Sequence, residues 1–107
     1  MRSIDQEFEI VFAYGELCAK AMKTNNDAEL TAAQADKVEN SILWLLQNGG
    51  ILWSDLTFHA VNKFDGAKNA RTSQKVNCVG FTTMTDTIYL ELELSHPDGD
   101  VNCLLPV

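Results

Sequence analysis

The side chains with most to offer chemically are three cysteines, Cys18, Cys78 and Cys103, and two histidines, His59 and His96. A cysteine nucleophile needs a base within hydrogen-bond reach and a third group to orient that base. Cys78 with His59 or His96 is the pairing to weigh, and nothing in the spacing brings either histidine to it. An inert, buried thiol is the expectation. Zinc requires short ligand spacings, and these five residues are scattered without them. No cofactor and no metal is therefore expected, and no catalytic residue is assigned.

Two further patterns resemble sites without completing one. Asp98, Asp100 and Asn102 open like a calcium loop, D-x-D-x-N, but Cys103 stands where the loop needs glycine and no glutamate follows at its twelfth position. A solvated hairpin turn is the simpler reading. Gly66-Ala67-Lys68-Asn69-Ala70-Arg71 lacks the second glycine and the G-K-[ST] ending of a phosphate loop. The stretch from Lys63 to Lys75 does hold Lys63, Lys68, Arg71 and Lys75 against a single acid, Asp65, as an ordinary basic surface loop would.

What remains is charge. Eight basic against fifteen acidic side chains give a formal net charge of −7, which argues against direct nucleic-acid binding, since a phosphate backbone is neutralised by clustered Lys and Arg. The acids are segregated. From Asp86 onward Asp86, Glu91, Glu93, Asp98 and Asp100 occur with no Lys or Arg, and Asp5 to Glu16 holds four acids and no base. Glu91 and Glu93 flanking a strand with Tyr89 would set an aromatic anchor among carboxylates, a combination suited to a basic protein surface. Trp53 and Asp55 are read as an extension of that surface. The candidate partner-binding set is thus Tyr89, Glu91, Glu93, Asp98, Asp100, Trp53 and Asp55.

The elements that must position these residues are legible from periodicity. At 107 residues, 46% hydrophobic and 21% charged, the chain fits one domain able to bury roughly 65% of its unfolded surface. Ser3-Ile4-Asp5-Gln6 matches a capping box, and Ile4, Phe8, Val11, Gly15, Cys18 and Met22, widened by Phe12 and Ala19, predict a helix over about 4–23. Thr31-Ala32-Ala33-Gln34 repeats the signal, and Ala35, Val38, Ile42 and Leu45 predict a second helix over about 31–48, stopped by Asn48-Gly49-Gly50. The short connection predicts an antiparallel helical hairpin with Gly15 near the crossing. Ile42 to Leu46 would be apolar all round and needs cover on several sides, with Trp44 placed in the core.

Beyond Gly50 the period changes to two. Strands are predicted over about 56–63, 76–83, 88–94 and 101–105, with a short helix capped by Ser54 as the alternative for the first. A turn at Met84 to Thr87 sets Thr83 opposite Ile88, Phe81 opposite Leu90 and Val79 opposite Leu92, with Cys78 beside Glu93 on the outer face. Pro106 marks the last strand as an edge. The fold class expected is α+β: an N-terminal antiparallel αα-hairpin packed on a C-terminal antiparallel β-meander of three to four strands, in a single domain over 1–107.

The expected function is that of a small acidic protein-binding protein, not an enzyme, that inhibits or neutralises a basic, nucleic-acid-handling partner. Immunity proteins and phage anti-defence inhibitors, some of them nucleic-acid mimics, work in this way. Acids at Asp5, Glu7 and Glu9 stand where a signal peptide needs an uncharged run, so a cytoplasmic location and no membrane partner are expected. Two rivals stay open: an enzyme or ligand-binding domain with a pocket between helices and sheet, near His59 and Cys78, and a homodimer in which the apolar end of the second helix and the last strand pair across a two-fold axis.

Overall fold

A computed structural model describes residues 2–60 and 70–107. Helix α1 spans Ile4–Thr24 and helix α2 spans Ala32–Gln47. After a single 3-10 turn at Trp53–Asp55 come β1 (Thr57–Ala60), β2 (Lys75–Met84), β3 (Thr87–Ser95) and β4 (Val101–Pro106). They form an antiparallel sheet in the order β1-β4-β3-β2. The helices pack on one face, so the fold is α+β.

Local chemistry sets the helix ends. Thr31 and Gln34 form a complete capping box, with Gln34 N–H donating to Thr31 Oγ1 at 3.2 Å and Thr31 N–H donating to Gln34 Oε1 at 2.9 Å. At Ser3 the acceptor half forms, from Gln6 N–H at 3.2 Å. Asn25 closes α1 in the left-handed region at φ 51°. Past α2, Gly49 takes φ +78° and Gly50 N–H donates to Leu45 O at 2.8 Å, as a glycine stop predicts.

The buried face of α1 is turned from the predicted stripe. Val11, Gly15 and Cys18 are buried as expected, but the flanking positions are Glu7 and Ala21, while Ile4 is 44% and Phe12 52% exposed. Nor does Gly15 serve the helix crossing. A Cβ there would lie 2.6 Å from the Cβ of Val107, so its bare Cα lets the residue after β4 lie against α1. Val107 N–H donates to Ile88 O at 2.9 Å and is held in place. In α2, Val38, Ile42, Leu45 and Leu46 are fully buried, and Leu43 and Trp44 are half-buried against the same core. The cover that the apolar end of α2 requires is thus largely supplied within the chain.

The expected antiparallel meander of three to four strands is present as β2-β3-β4, and β1 joins at the far side, on β4, with Phe58 opposite Cys103 and His59 opposite Asn102. Two other sheet expectations, the edge position of β4 and part of the hairpin register, are corrected. With β1 beside it, β4 is interior rather than an edge. Pro106 is tolerated because it pairs with Tyr89 of β3 and lies beyond Thr57↔Leu104, where the β1 ladder stops. The hairpin register holds from Met84↔Thr87 to Gly80↔Glu91 and then shifts, since Cys78 pairs with Leu92 and Asn77 with Glu93. Val79 is the extra residue of a β-bulge and is 65% exposed. The bulge turns Cys78 and Val76 inward, opposite Leu92 and Leu94, in exchange for Val79. Of the predicted strand 56–63, residues 57–60 are strand and 61–63 lie outside the described residues, as does the basic loop up to 69. The 3-10 turn at Trp53–Asp55 lies at the start of the alternative short helix that Ser54 would cap.

Candidate binding surface

The two faces of the sheet are built from one alternation. On β3, Leu90, Leu92 and Leu94 are buried against the helices, and Tyr89, Glu91 and Glu93 point the other way. The outward residues line up across strands. Thr57, Leu104, Glu91 and Gly80 form one row; His59, Asn102, Glu93 and Asn77 form the next; Pro106, Tyr89 and Thr82 form a third. Both carboxylates therefore sit on an interior strand, near the middle of the face turned away from α1 and α2. The groove there, about 410 Å³, is lined by Glu91, Glu93, His59, Val79, Thr82 and Asn102 among others.

Among the described residues the polar contacts on this face are sparse. Asn77 Nδ2 stands 3.5 Å from Glu93 Oε1, the limit of a hydrogen bond, and Glu91 makes no salt bridge with a described residue. Asp98 and Asp100 are exposed in the turn leading from β3 to β4, at the Glu93 end of the face. Asp98 N–H donates to His96 Nδ1 at 3.1 Å, so the histidine shapes the turn. Trp53 and Asp55 are placed differently. Trp53 is half-buried with the Arg71 guanidinium 5.5 Å from its ring centre, and Asp55 Oδ2 accepts Leu52 N–H at 2.9 Å. Thr57, two residues on, begins the Glu91 row.

The chemically capable side chains are not assembled into a reactive set. Cys78 faces inward on β2, at one edge of the sheet, whereas His59 faces outward on β1, at the other. Burial pushes the Cys78 thiol up to about 12, helped by Glu39 and Cys18, and pushes Cys103 to about 12 and Cys18 to about 11. A nucleophilic cysteine needs the opposite shift. Among the described residues no group of His, Cys, Asp and Glu has the arrangement of a metal site, and the Asp98 turn is no exception.

Two acids outside the predicted set have structural work. Glu39, on α2, accepts Cys78 N–H at 2.7 Å, satisfying a backbone donor at the bulge. Glu7 is 4% exposed; its Oε2 accepts Ser41 Oγ–H at 2.6 Å and its Oε1 meets Arg2 Nε at 2.9 Å. The charge run from Asp5 to Glu16 is therefore not all surface. The isolated glycine at position 80 was the available signal for the bulge, because glycine inside a strand pattern favours one; nothing in the sequence paired Glu7 with Ser41 or Glu39 with Cys78.

A groove of about 700 Å³ also runs between the two helices, lined by Ile10, Tyr14 and Leu17 with Arg2, Gln34 and Lys37 among its polar residues. Burial, with nearby Cys18, Cys78 and Glu39, raises the Tyr14 hydroxyl to about 12. Comparison with protein-family models, with curated proteins and with solved structures finds no match. Among the described residues no helix is long and apolar enough to cross a membrane.

Proposed function

We propose that the protein is a small cytoplasmic binding protein without catalysis, which inhibits a basic, nucleic-acid-handling protein by covering its cationic surface. Immunity proteins and phage anti-defence inhibitors, including nucleic-acid mimics, are the functional class. The observation that carries this reading is the outer sheet face, left uncovered by both helices and bearing Glu91, Glu93 and Tyr89 on an interior strand. Asp98 and Asp100 extend the negative charge beyond the end of that strand, and Trp53 and Asp55 extend the contact beyond the Thr57 row. A rigid sheet holds the carboxylates in fixed register, so a basic partner gains complementarity without ordering a loop.

Purified complex titrated from about 50 to 300 mM salt tests the reading, since charge-driven association between exposed groups is screened over that range. Steep loss of affinity supports it. A partner with no basic patch, or salt-independent binding, overturns it.

A ligand-binding domain is the second reading, favoured by the groove of about 700 Å³ between α1 and α2. That groove lies between the helices, away from His59, so any ligand would meet Arg2, Lys37 and Tyr14. A homodimer built by strand pairing through β4 has no open edge to use, because β4 is flanked by β1 and β3.

A further inference from the structure

We propose that the ridge Ile4, Phe8 and Phe12 of α1 is the docking site for a partner helix whose apolar stripe is edged by lysine or arginine. It is a second surface, on the helical side of the sheet, and its case does not depend on the outer-face carboxylates. The three residues repeat at intervals of four, the row that forms a ridge on a helix and packs into the groove of another. Phe8 and Phe12 stack with ring centres 5.6 Å apart and planes 13° apart. Phe8 is anchored against the core, while Phe12 remains 52% and Ile4 44% exposed. A stacked aromatic pair held at one end and open at the other is a preorganised anchor.

Charge selects the occupant. A cleft of about 490 Å³ beside the ridge is lined by Asp5, Phe8, Glu9 and Phe12, and Glu16 follows Phe12 by one turn. From Ile4 to Ala19 the helix has no Lys or Arg, and Arg2 is turned to Glu7 and to the Trp44 ring, 6.0 Å away. A second copy of this chain would bring Asp5, Glu9 and Glu16 against their own like, and an anionic lipid surface would be repelled. A helix with flanking cations satisfies both the apolar ridge and its acidic rim.

The test uses the full chain and a synthetic helical peptide of leucine and lysine with its leucines on one face, mapped by backbone amide chemical shifts. The expected result is a set of shifts concentrated between Ile4 and Glu16, weakened about tenfold by Phe12→Ser and absent with a peptide whose lysines are replaced by glutamate. Because Phe12 is exposed, that variant retains its fold, which the unperturbed sheet amides report. The doubly reversed variant Glu91→Lys, Glu93→Lys is expected to bind the peptide at α1 as before. Shifts confined to the outer sheet face would overturn this proposal while leaving the proposed function standing. Equal binding by Phe12→Ser, or equal binding of the glutamate peptide, would overturn it too. Sedimentation that finds a dimer lost in Phe12→Ser would replace the basic helix with a second copy.

Discussion

The two faces of β3 differ in what surrounds them, although the strand that makes them is one. Leu90, Leu92 and Leu94 are at most 1% exposed beneath the helices, while Tyr89, Glu91 and Glu93 alternate with them on the face turned away from α1 and α2. The inner face holds the core and the outer face carries the proposed recognition surface, separated by the period of two. The contrast makes substitutions on one strand separable in effect: inner changes should cost folding free energy and outer changes should cost binding.

The largest expected effect is on the inner side. Leu90→Ala removes a fully buried side chain between two strands and should destabilise the fold by about 2–5 kcal/mol, read from denaturant unfolding with an unchanged slope. A loss below about 1 kcal/mol would mean that the helices do not press on that face. Next comes Glu39→Ala. It leaves Cys78 N–H at the bulge without its acceptor and should cost about 1–3 kcal/mol, with accelerated amide exchange at Cys78 as the local signature.

A pH dependence follows from the buried thiols. Cys78 and Cys103 ionise near 12 and Cys18 near 11 when folded, against 9.0 for the free group. Above pH 9 the unfolded chain therefore binds fewer protons than the folded one, and stability must fall as pH rises toward 11 to 12. It is fully present below pH 9. Thermal unfolding scans between pH 7 and 11 should show a falling midpoint, less steep in Cys78→Ala; a midpoint constant through pH 11 would contradict the inward placement of the thiols.

The smallest stability effect sharpens the hairpin that fixes the two faces. Thr85 and Asp86 connect β2 to β3 with φ 49° and 64°, a conformation that asparagine and glycine adopt far more readily than a β-branched residue. Replacing the pair by Asn-Gly should stabilise the fold by about 0.4–1 kcal/mol without changing the register, as cross-strand contacts in spectra would report.

The alternation of β3 and the turn at Met84 to Thr87 were legible because local pattern alone sets them. The same holds for the helices, where Thr31 with Gln34 and Gly49 act on their own neighbours. What was hidden depends on contacts distant in sequence. Pro106 reads as an edge residue until β1 is known to stop at Thr57, and Gly15 reads as a helix-crossing residue until Val107 is found against it. The bulge at Val79 is decided by burial of Cys78 and Val76, with Glu39 supplying the acceptor from α2. Of the candidate surface, Tyr89, Glu91 and Glu93 were legible from alternation. That α1 and α2 lie on the opposite face is tertiary, and so is the withdrawal of Glu7 from the surface charge into contact with Ser41.

The central claim is that Glu91 and Glu93 recognise a basic partner while contributing little to the fold. The direct measurement is capture from the native cell extract with wild-type and Glu91→Lys, Glu93→Lys baits, at about 50 and 300 mM salt, after both baits are shown to unfold within about 0.5 kcal/mol of each other. The account predicts a basic, nucleic-acid-handling protein held by the wild type at low salt, released at high salt, and missed by the reversed bait. A partner held equally by both baits would contradict it.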